Sequence, residues 1–408
     1  MSVAQLPQAS SSDTVDRLIA DQRPGHGLAR AFYTDARVYE YDLARVLFRH
    51  WHCLGHESIV PAPGDFELFR LANESIILVR STNGAVHAML NVCRHRGAEV
   101  CTQRTGNAKH FVCPYHAWTY ANDGSLRAAR VMPKGFDRSA YGLRKLHVEV
   151  AEGLVFVSFA ERPLDFEPVR RALRTSCGQY GWSEAKVAHR ETWSIEANWK
   201  LAVENYVECY HCGPAHPEYS RTHALEQPLE AIGRLNAAME ERTCALGVEI
   251  VTIDHWWDSV SGQEAIHSFR YALYDGALTG SEDGTPLAPP MGRFAAHDGG
   301  VTSIHVGGTS FLVCYADHGM IYRFVPRSVD ACEMELIWLV RGDAMAGKDY
   351  DASRLTWLWK VTTEEDKKII EHTARGVRSR FFTPGPIAPM EQNELRFIGW
   401  YLREIGRR

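Results

Sequence analysis

The chain has 408 residues, 45% of them hydrophobic and 23% charged, with a net charge of −5 at pH 7. A chain of this length buries a large core and more often forms two domains than one. Its acidic balance, with a pI near 6.4, argues against nucleic acid or an anionic membrane surface as the main partner, because both require a clustered positive excess.

The usual signals for secretion and membrane insertion are missing from the sequence. None of its apolar runs approaches the ~20 residues that a membrane span requires, and it does not begin with a basic segment followed by an apolar core. We therefore expect a cytoplasmic protein. In that compartment the ten cysteines are expected to be buried thiols or metal ligands rather than a disulfide framework.

The first part of the chain predicts an N-terminal arm and a small β domain. Residues 1–44 combine a polar, serine-rich arm with the start of a helical pattern over 39–50. Within 45–160, short β-rich runs alternate with turn signals such as Asn83-Gly84. This texture is typical of an antiparallel β domain.

The remainder, 161–408, shows a different pattern of hydrophobic and polar residues. Long amphipathic stretches over 196–212 and 350–378 are separated by strand-like runs over 320–326 and 334–341. The pattern predicts an α+β domain with a core of its own.

The strongest signal for chemistry is a set of four residues in the β domain. Cys93 and His95 form one pair and Cys113 and His116 form a second, each at the expected tip of a hairpin. A zinc site usually separates paired ligands by two to four residues, whereas Cys93-x-His95 leaves only one. A Rieske [2Fe-2S] cluster requires this mixture, because two cysteines hold one iron and two histidines hold the other. The spacing favours such a cluster over zinc or four unconnected buried side chains.

The segment NWKLAVENYVECYHCGPAH, 198–216, carries a second candidate site. On one continuous helix, Glu204, Glu208 and His211 would lie on the same face. A Gly-Pro pair would then end the helix, so that His216 turns back toward His211. Two neutral imidazoles and one carboxylate form the facial triad of non-haem Fe(II) sites, which leaves positions open for dioxygen. We interpret the two histidines as iron ligands.

Candidates for the carboxylate lie further downstream. Glu364, Glu365 and Asp366 stand together near the start of a predicted amphipathic helix over 361–376. Acids are also favoured at a helix N-terminus by the helix dipole. From the residues alone, a metal ligand and a solvated helix start are equally good explanations for this group.

The order of these motifs resembles a known family. The pattern C-x-H-x17-C-x2-H followed by N-W-K-x3-E-N-x2-E-x2-H-x4-H is similar to that of the large (α) subunit of Rieske non-haem iron oxygenases. The resemblance implies an α+β fold in which a Rieske-type antiparallel β domain is inserted into a helix-grip (START-like) catalytic domain. It also implies a mononuclear Fe(II) held by His211, His216 and a carboxylate from a C-terminal helix. That carboxylate falls best on Asp366, with Glu365 as the fallback.

One position departs from most of the family. Most members carry Asp three residues before the first iron-binding histidine, where this chain has Glu208. The resemblance implies that this acid bridges the iron site to the Rieske cluster of the neighbouring subunit in a ring, most often a homotrimer. A glutamate there, together with the segment 342–351 and a later FTPGP, is similar to the branch that acts on glycine betaine, proline betaine and carnitine.

Taken with this resemblance, the motifs predict the oxygenase component of a larger system. The chain has no G-x-G-x-x-G dinucleotide loop and no flavin motif. Electrons are therefore expected from a separate reductase that uses NAD(P)H and flavin, directly or through a ferredoxin. With O2, the iron would hydroxylate a small substrate, most directly an N-methyl group of a betaine, which then leaves as formaldehyde. Asn205 is expected either beside the iron or in a hydrogen bond within its helix.

A pocket for a quaternary ammonium ion is expected to use aromatic faces, each worth ~1–2 kcal/mol when desolvated. The main candidates are Trp256, Trp257, Tyr271 and Phe311, with Tyr219, Phe269 and Tyr315 as further rings and Asp254 and Asp258 as neutralising acids. Each ring is also a good core residue, because aromatic side chains bury large areas in every fold.

Two other functions fit parts of the same pattern. A ring-hydroxylating or O-demethylating oxygenase of an aromatic acid would carry both metal sites. A redox or zinc-binding protein without oxygenase activity would carry only the site in the β domain. Iron and sulfide content separates the last from the oxygenases, and formaldehyde release separates a betaine substrate from a ring.

Overall fold

The computed structural model describes residues 12–223, 228–253 and 262–407. The N-terminal part forms α1 (Ser12–Ala20), α2 (Arg30–Thr34) and α3 (Ala36–Tyr41), and α3 continues into a π-helical turn, Asp42–Leu47. The helix expected over 39–50 therefore begins earlier and changes its winding after Tyr41. The turn carries the fully buried Asp42 carboxylate, which pairs with Lys200 and accepts a hydrogen bond from Tyr401 at 2.7 Å.

Antiparallel strands fill the region that was predicted to be a β domain. The strands are β1 (His52–His56), β2 (Asp65–Leu71), β3 (Glu74–Arg80), β4 (Val86–Leu90), β5 (Thr105–Asn107), β6 (His110–Val112), β7 (Thr119–Ala121), β8 (Leu126–Ala128), β9 (His147–Ala151) and β10 (Leu154–Ser158). Its sheets have the orders β4-β3-β2-β5, β6-β7-β8 and β1-β10-β9. The expected turn at Asn83-Gly84 joins β3 to β4, and Gly84 has a φ of 85° that favours glycine.

Strand β3 explains how this region holds the four-residue motif. Its side chains alternate between two cores, because successive residues of a strand point to opposite faces. Ile76 and Leu78 pack in one core, whereas Ile77 and Val79 pack in another that also contains the two motif cysteines. The motif loops are thus anchored on one side of a sheet that is buried on both sides.

The second region is built around one antiparallel sheet. Its strands are β11 (Ala185–Ile195), β12 (Ile266–Ala272), β13 (Gly300–Val306), β14 (Ser310–Cys314), β15 (Gly319–Ser328) and β16 (Ala331–Arg341), and they pair in the order β11-β16-β15-β14-β13-β12. The helices are α4 (Glu167–Thr175), α5 (Trp199–Val207), α6 (Cys212–Ala215), α7 (Pro217–Ser220), α8 (Leu229–Ala245), α9 (Ala352–Val377) and α10 (Gln392–Gly406). Helices and sheet together confirm the predicted α+β class.

Each face of this sheet packs in a different core. Leu336 and Trp338 of β16 face the core that holds α5, α9 and α10. Ile337 and Leu339 face the opposite core, which also contains Trp51, the residue before β1. The β domain and α4 therefore pack behind the sheet, while α5, α9 and α10 cover its front.

Helix α9 supplies the front wall of the candidate site. Asp351 caps it by accepting hydrogen bonds from the backbone N–H groups of Ser353 (2.8 Å) and Arg354 (3.0 Å). The predicted helix over 350–378 is confirmed, but the separate helix start near 361 was wrong, because α9 is continuous through the acids 364–366. Neither α9 nor any other helix within the described ranges is both long and apolar enough to cross a membrane.

Candidate metal centres and the adjoining cavity

The four-residue motif of the β domain comes together at the tips of two loops. Cys93 and His95 follow β4, and Cys113 and His116 follow β6. Both thiols are buried and both imidazoles are exposed, and the two His Nδ1 atoms lie 3.1 Å apart. This places a sulfur pair inside and a nitrogen pair outside, as a cluster with two Cys on one iron and two His on the other requires.

The two loops have the same backbone design. The N–H of Gly97 donates to the Cys93 carbonyl and that of Ala117 donates to the Cys113 carbonyl, both at 3.0 Å. Gly97 and Ala117 both have positive φ, 81° and 55°. An alanine in this region is strained by about 1 kcal/mol or more, so the loop geometry is imposed by the surrounding fold. The donor set and this matched pair of loops fit a Rieske cluster.

The second set of residues begins where α5 ends. Asn198 caps the helix by accepting from the Lys200 N–H at 3.1 Å. Glu208 is no longer helical, with φ −124° and ψ 163°, so the single helical stripe expected through Glu208 and His211 was wrong. The Glu208 carboxylate instead accepts from the Tyr210 N–H at 2.5 Å, which pairs the side chain with its own local backbone and opposes continuation of the helix.

His211, His216 and Asp366 meet beyond this break. Asp366 Oδ1 lies 2.9 Å from His216 Nε2 and 3.3 Å from His211 Nε2, and one ligand atom from each residue falls within 4.8 Å of the others. The expected Gly-Pro break also differs, since both residues lie inside α6 and His216 follows it. Two imidazoles and one carboxylate around one point can hold a divalent metal in a facial triad.

Two further carboxylates hold the outer nitrogens of these imidazoles. His211 Nδ1 lies 2.5 Å from Glu208 Oε1, and His216 Nδ1 lies 2.9 Å from Glu365 Oε2. Such contacts fix the ring orientation and leave Nε2 for a metal. Glu365 is therefore placed behind His216, whereas Asp366 faces both Nε2 atoms. His216, Glu218 and Glu365 also converge, but that group offers one imidazole only.

The electrostatics of the triad are those of a cation site. Burial alone would lower the pKa of His211, but Asp366 and Glu208 outweigh it and raise that pKa to about 10. The pKa of Asp366 would be raised by burial, yet the two histidines hold it below its usual value. Without a metal, protons take the place of the cation.

Asn205 lies at the edge of the triad, with its Nδ2 atom 3.4 Å from His211 Nε2. Glu204 lies one turn before Glu208 on the helical face that the sequence predicted, but its side chain points away from the triad. Its carboxylate is buried against the hydroxyl of Tyr33, and burial raises its pKa to about 8. Asn205 thus faces the metal position, and Glu204 serves the packing of the N-terminal arm.

A cavity of about 360 Å³ opens directly on the triad. Its walls come from the front face of the sheet, from α5 and from α9. Among the described residues, six aromatic side chains line it: Tyr206, Tyr219, Phe269, Tyr271, Tyr322 and Trp359. The remaining wall includes Ser303, His305, Val313 and Thr362. An aromatic box beside a metal position suits a small cationic or apolar substrate.

The sequence identified some of these rings and misplaced others. Tyr219, Phe269 and Tyr271 line the cavity. Phe311 and Tyr315 do not, since both are fully buried in the core; Phe311 packs under Tyr206, with ring centroids 4.5 Å apart. Trp256, Trp257, Asp254 and Asp258 lie outside the described residues.

Three cavity aromatics were missed from the sequence, although two had a usable signal. Trp359 precedes Asp366 by seven residues, which is two helical turns on one face of α9. Tyr206 directly follows Asn205 in the motif. Tyr322 had no such signal, because only the alternation of β15 against the helices turns it forward.

The cysteines also differ in part from expectation. Cys209 and Cys212 form a disulfide on either side of His211, whereas the other eight cysteines are free. Thiols three residues apart come within bonding reach because the chain turns sharply after Glu208. The expectation of thiols or metal ligands was wrong for this pair.

The β domain and the second region each match a known protein family. Residues 50–146 match the Rieske [2Fe-2S] domain. Residues 183–406, more than half of the chain, match the catalytic domain of the ring-hydroxylating α subunit.

Similar proteins are found along nearly the full length. The glycine betaine monooxygenase oxygenase subunit of Pseudomonas aeruginosa is 34% identical over 384 residues, which cover 92% of this chain and 88% of that protein. The carnitine monooxygenase oxygenase subunit of Escherichia coli is 36% identical over 362 residues, covering 86% and 83%.

Solved structures share the fold. A quaternary ammonium Rieske monooxygenase described in work on carnitine oxidation by gut microbiota superposes with a TM-score of 0.71 at 20% identity, over 100% of both chains. Naphthalene 1,2-dioxygenase from Rhodococcus sp. gives a TM-score of 0.63 at 18% identity, over 97% and 98% of the chains.

Proposed function

The chain belongs to the Rieske non-haem iron oxygenases, as an α-type oxygenase subunit, and from that premise we propose that it N-demethylates a small betaine-like quaternary ammonium compound. The observation that carries this proposal is the aromatic cavity that opens on the His211, His216 and Asp366 triad. Ring faces stabilise a cation that has no N–H to donate. The curated relatives named above act on glycine betaine and carnitine.

We assign the metal ligands on the same basis. Cys93 and Cys113 hold one iron of the [2Fe-2S] cluster, and His95 and His116 hold the other. His211, His216 and Asp366 hold the mononuclear Fe(II). The support is geometric, because each loop offers one thiol and one imidazole and because a single Asp366 oxygen lies within 3.3 Å of both histidine Nε2 atoms.

Different residues of the chain have different roles in one turnover. The iron supplies dioxygen activation when it is bound. Glu208 and Glu365 hold the imidazoles from behind, so that the open side of the triad faces the cavity. The aromatic walls exclude water and hold an N-methyl group at that open side, and Asn205 borders the same position.

The chemistry balances with two electrons and two protons. One atom of O2 enters a C–H bond of the N-methyl group, and the other leaves as water. The N-hydroxymethyl group then breaks its C–N bond, the nitrogen keeps the electron pair, and formaldehyde leaves with loss of a proton. The product is the amine with one methyl group fewer.

The electrons come from outside the chain. We propose a separate NAD(P)H-dependent flavin reductase, directly or through a ferredoxin, as the donor to the cluster. We further propose a cytoplasmic homotrimer in which Glu208 links His211 to His116 of the next subunit. The corresponding domain limits are 1–44 for the arm, 45–160 for the Rieske domain and 161–408 for the catalytic domain.

The second candidate, an oxygenase of an aromatic acid, is less well supported. The described cavity residues offer ring faces, which stabilise a cation, and an aromatic acid carries no cationic group. The cavity shape alone would accept a ring.

The deciding experiment combines metal analysis with a substrate screen. About three irons and two acid-labile sulfides per chain are expected. With a surrogate reductase, betaines should drive oxygen consumption with stoichiometric formaldehyde, while aromatic acids should not. Oxygen consumption with aromatic acids and none with betaines would overturn the proposal, and one zinc without sulfide would overturn the oxygenase assignment itself.

A further inference from the structure

The cavity holds a pair of tyrosine hydroxyl groups away from the metal ligands. The oxygens of Tyr219 and Tyr271 lie 3.2 Å apart, and both side chains line the cavity. The ring of Tyr219 packs against Trp359, with centroids 5.8 Å apart. Trp359 precedes Asp366 by two turns of α9, or ~10 Å along the helix axis. The hydroxyl pair therefore lies beside a ring that is two turns of α9 away from the metal ligand Asp366.

The contact between the two hydroxyls leaves one O–H donor of the pair unused. Two hydroxyls carry two O–H donors, and the contact between them uses one. With the described residues the pair makes no hydrogen bond other than this one. Burial raises the pKa of Tyr271 to about 12, and that of Tyr219 is also raised, so both hydroxyls keep their protons at neutral pH.

Both hydroxyls are held in place before a ligand arrives. Tyr219 stacks on His223 with centroids 3.8 Å apart, and His223 Nε2 lies 2.8 Å from the hydroxyl oxygen of Tyr315. Tyr271 is fixed on β12, in register with Val301 of β13. Donors that are already ordered lose little entropy on binding.

The other residues of the cavity leave these hydroxyls as the hydrogen-bond donors to an anionic group at that end. Glu208 and Asp366 lie at the metal end. No described lining residue is Lys or Arg, and the sequence of the segments 224–227 and 254–261 contains neither. Arg270, the neighbour of Tyr271, pairs with Asp298 instead. Away from the metal, the described lining residues therefore offer a substrate anion neutral donors only.

From this arrangement we infer that the Tyr219–Tyr271 hydroxyl pair binds the carboxylate of a zwitterionic quaternary ammonium substrate and so directs its N-methyl groups to the metal end. Each hydroxyl donates one hydrogen bond to the carboxylate, which replaces one neutral bond by two charge-assisted ones. Fe(II) at the metal end offsets the charges of Asp366 and Glu208, so the hydroxyl pair at one end and the ring faces along the cavity fix the orientation. This inference rests on the proposed function for its substrate class.

The test compares two probes that differ in the carboxylate. Glycine betaine carries it, and choline carries a hydroxyl in its place. Affinities are measured by calorimetry on the holoenzyme for the wild type, Tyr219→Phe and Tyr271→Phe. Each variant should bind glycine betaine at least about tenfold more weakly, the loss expected for a hydrogen bond to a charged group. Choline should bind within about twofold of the wild type, because the ring faces remain.

Tyr180→Phe is the matched control. Its hydroxyl bonds Thr302 Oγ1 at 2.7 Å outside the cavity, so both affinities should stay unchanged. Equal losses for the two probes in the Tyr219 and Tyr271 variants, or no loss for glycine betaine, would overturn the carboxylate site while leaving the proposed function standing. A wild type that binds choline but not glycine betaine would likewise overturn the carboxylate site and leave the proposed function standing. A wild type that binds neither probe would contradict the proposed function as well.

Discussion

Glu208 contacts His211 across a break in the helix rather than along it: the Oε1 and Nδ1 atoms lie 2.5 Å apart, although α5 ends at Val207. The extended backbone at Glu208 brings the carboxylate round to the outer nitrogen of the ring. About 10% of the Glu208 side chain remains exposed, so part of it can be reached from another subunit. A link between two redox centres needs both properties.

Glu208→Ala should stop electron transfer without loss of either metal. Loss of the partner of His211 Nδ1 should weaken iron binding by ~10–100-fold, so the variant is loaded in excess Fe(II). It is expected to keep its oligomeric state and a Rieske centre that is reduced normally. In a single turnover from prereduced enzyme with substrate and oxygen, reoxidation of the Rieske centre should slow by orders of magnitude. Glu208→Gln keeps the size and a hydrogen-bonding group, so it should retain part of the rate. Reoxidation at the wild-type rate in the alanine variant would rule out the bridging role.

Asp366→Ala should remove the mononuclear iron and abolish turnover, because one of three ligands is lost. The red Rieske chromophore should stay intact. Iron content by mass spectrometry and the visible spectrum report the two sites separately.

Glu365→Ala is the matched comparison for this position. It removes only the partner of His216 Nδ1, so iron affinity should fall by ~10–100-fold while turnover recovers in excess Fe(II). If the two variants exchanged these behaviours, the ligand would be Glu365.

Replacing His95 or His116 by Cys should lower the reduction potential of the cluster toward that of all-Cys clusters. Four ligands remain, so iron and sulfide content should be kept. Potentiometry and the g-values of the reduced centre measure the change. An unaltered spectrum in a His116→Cys protein that still holds iron and sulfide would show that another residue is the ligand.

Binding of Fe(II) to metal-free protein should strengthen as pH rises. Burial opposes protonation of His211, but Asp366 and Glu208 raise its pKa to about 10, and the pKa of His216 is raised too. The metal needs neutral imidazoles and must displace these protons. The protonated histidines stabilise the metal-free fold fully below pH ~6.5, and that contribution is lost as pH rises toward 10.

Anaerobic Fe(II) titrations at pH 6, 7 and 8 test this dependence. Glu208→Gln should give a shallower slope, because His211 loses one of the charges that raise its pKa. An affinity that does not change with pH would contradict the assigned protonation states.

Strands and turns of the β domain were predictable because their signals are local. The β-rich runs over 75–80 and 85–90 lie on either side of the turn signal Asn83-Gly84. They form β3 and β4. The four-residue motif was predictable for a similar reason, since ligand type and spacing alone distinguish a mixed Cys/His cluster from zinc.

Tertiary structure decided the rest of the candidate site. Amphipathic pattern alone extended the helix over 196–212, but Glu208 leaves it for contacts with Tyr210 and His211, which no periodicity encodes. Glu365 and Asp366 are adjacent acids that carry the same charge, and they point ~100° apart around α9.

Residue types and their spacing along the chain thus determined the two metal motifs, the α+β class and the position of the main strands, because those properties depend on neighbours in sequence. Which acid reaches both imidazoles and which rings line the cavity depended on how α9 packs against α5 and the sheet. Tyr322 faces the cavity while Phe311, opposite it on β14, is fully buried beneath Tyr206. The reason is that burial is decided by what covers a side chain, and the covering residues come from distant parts of the chain.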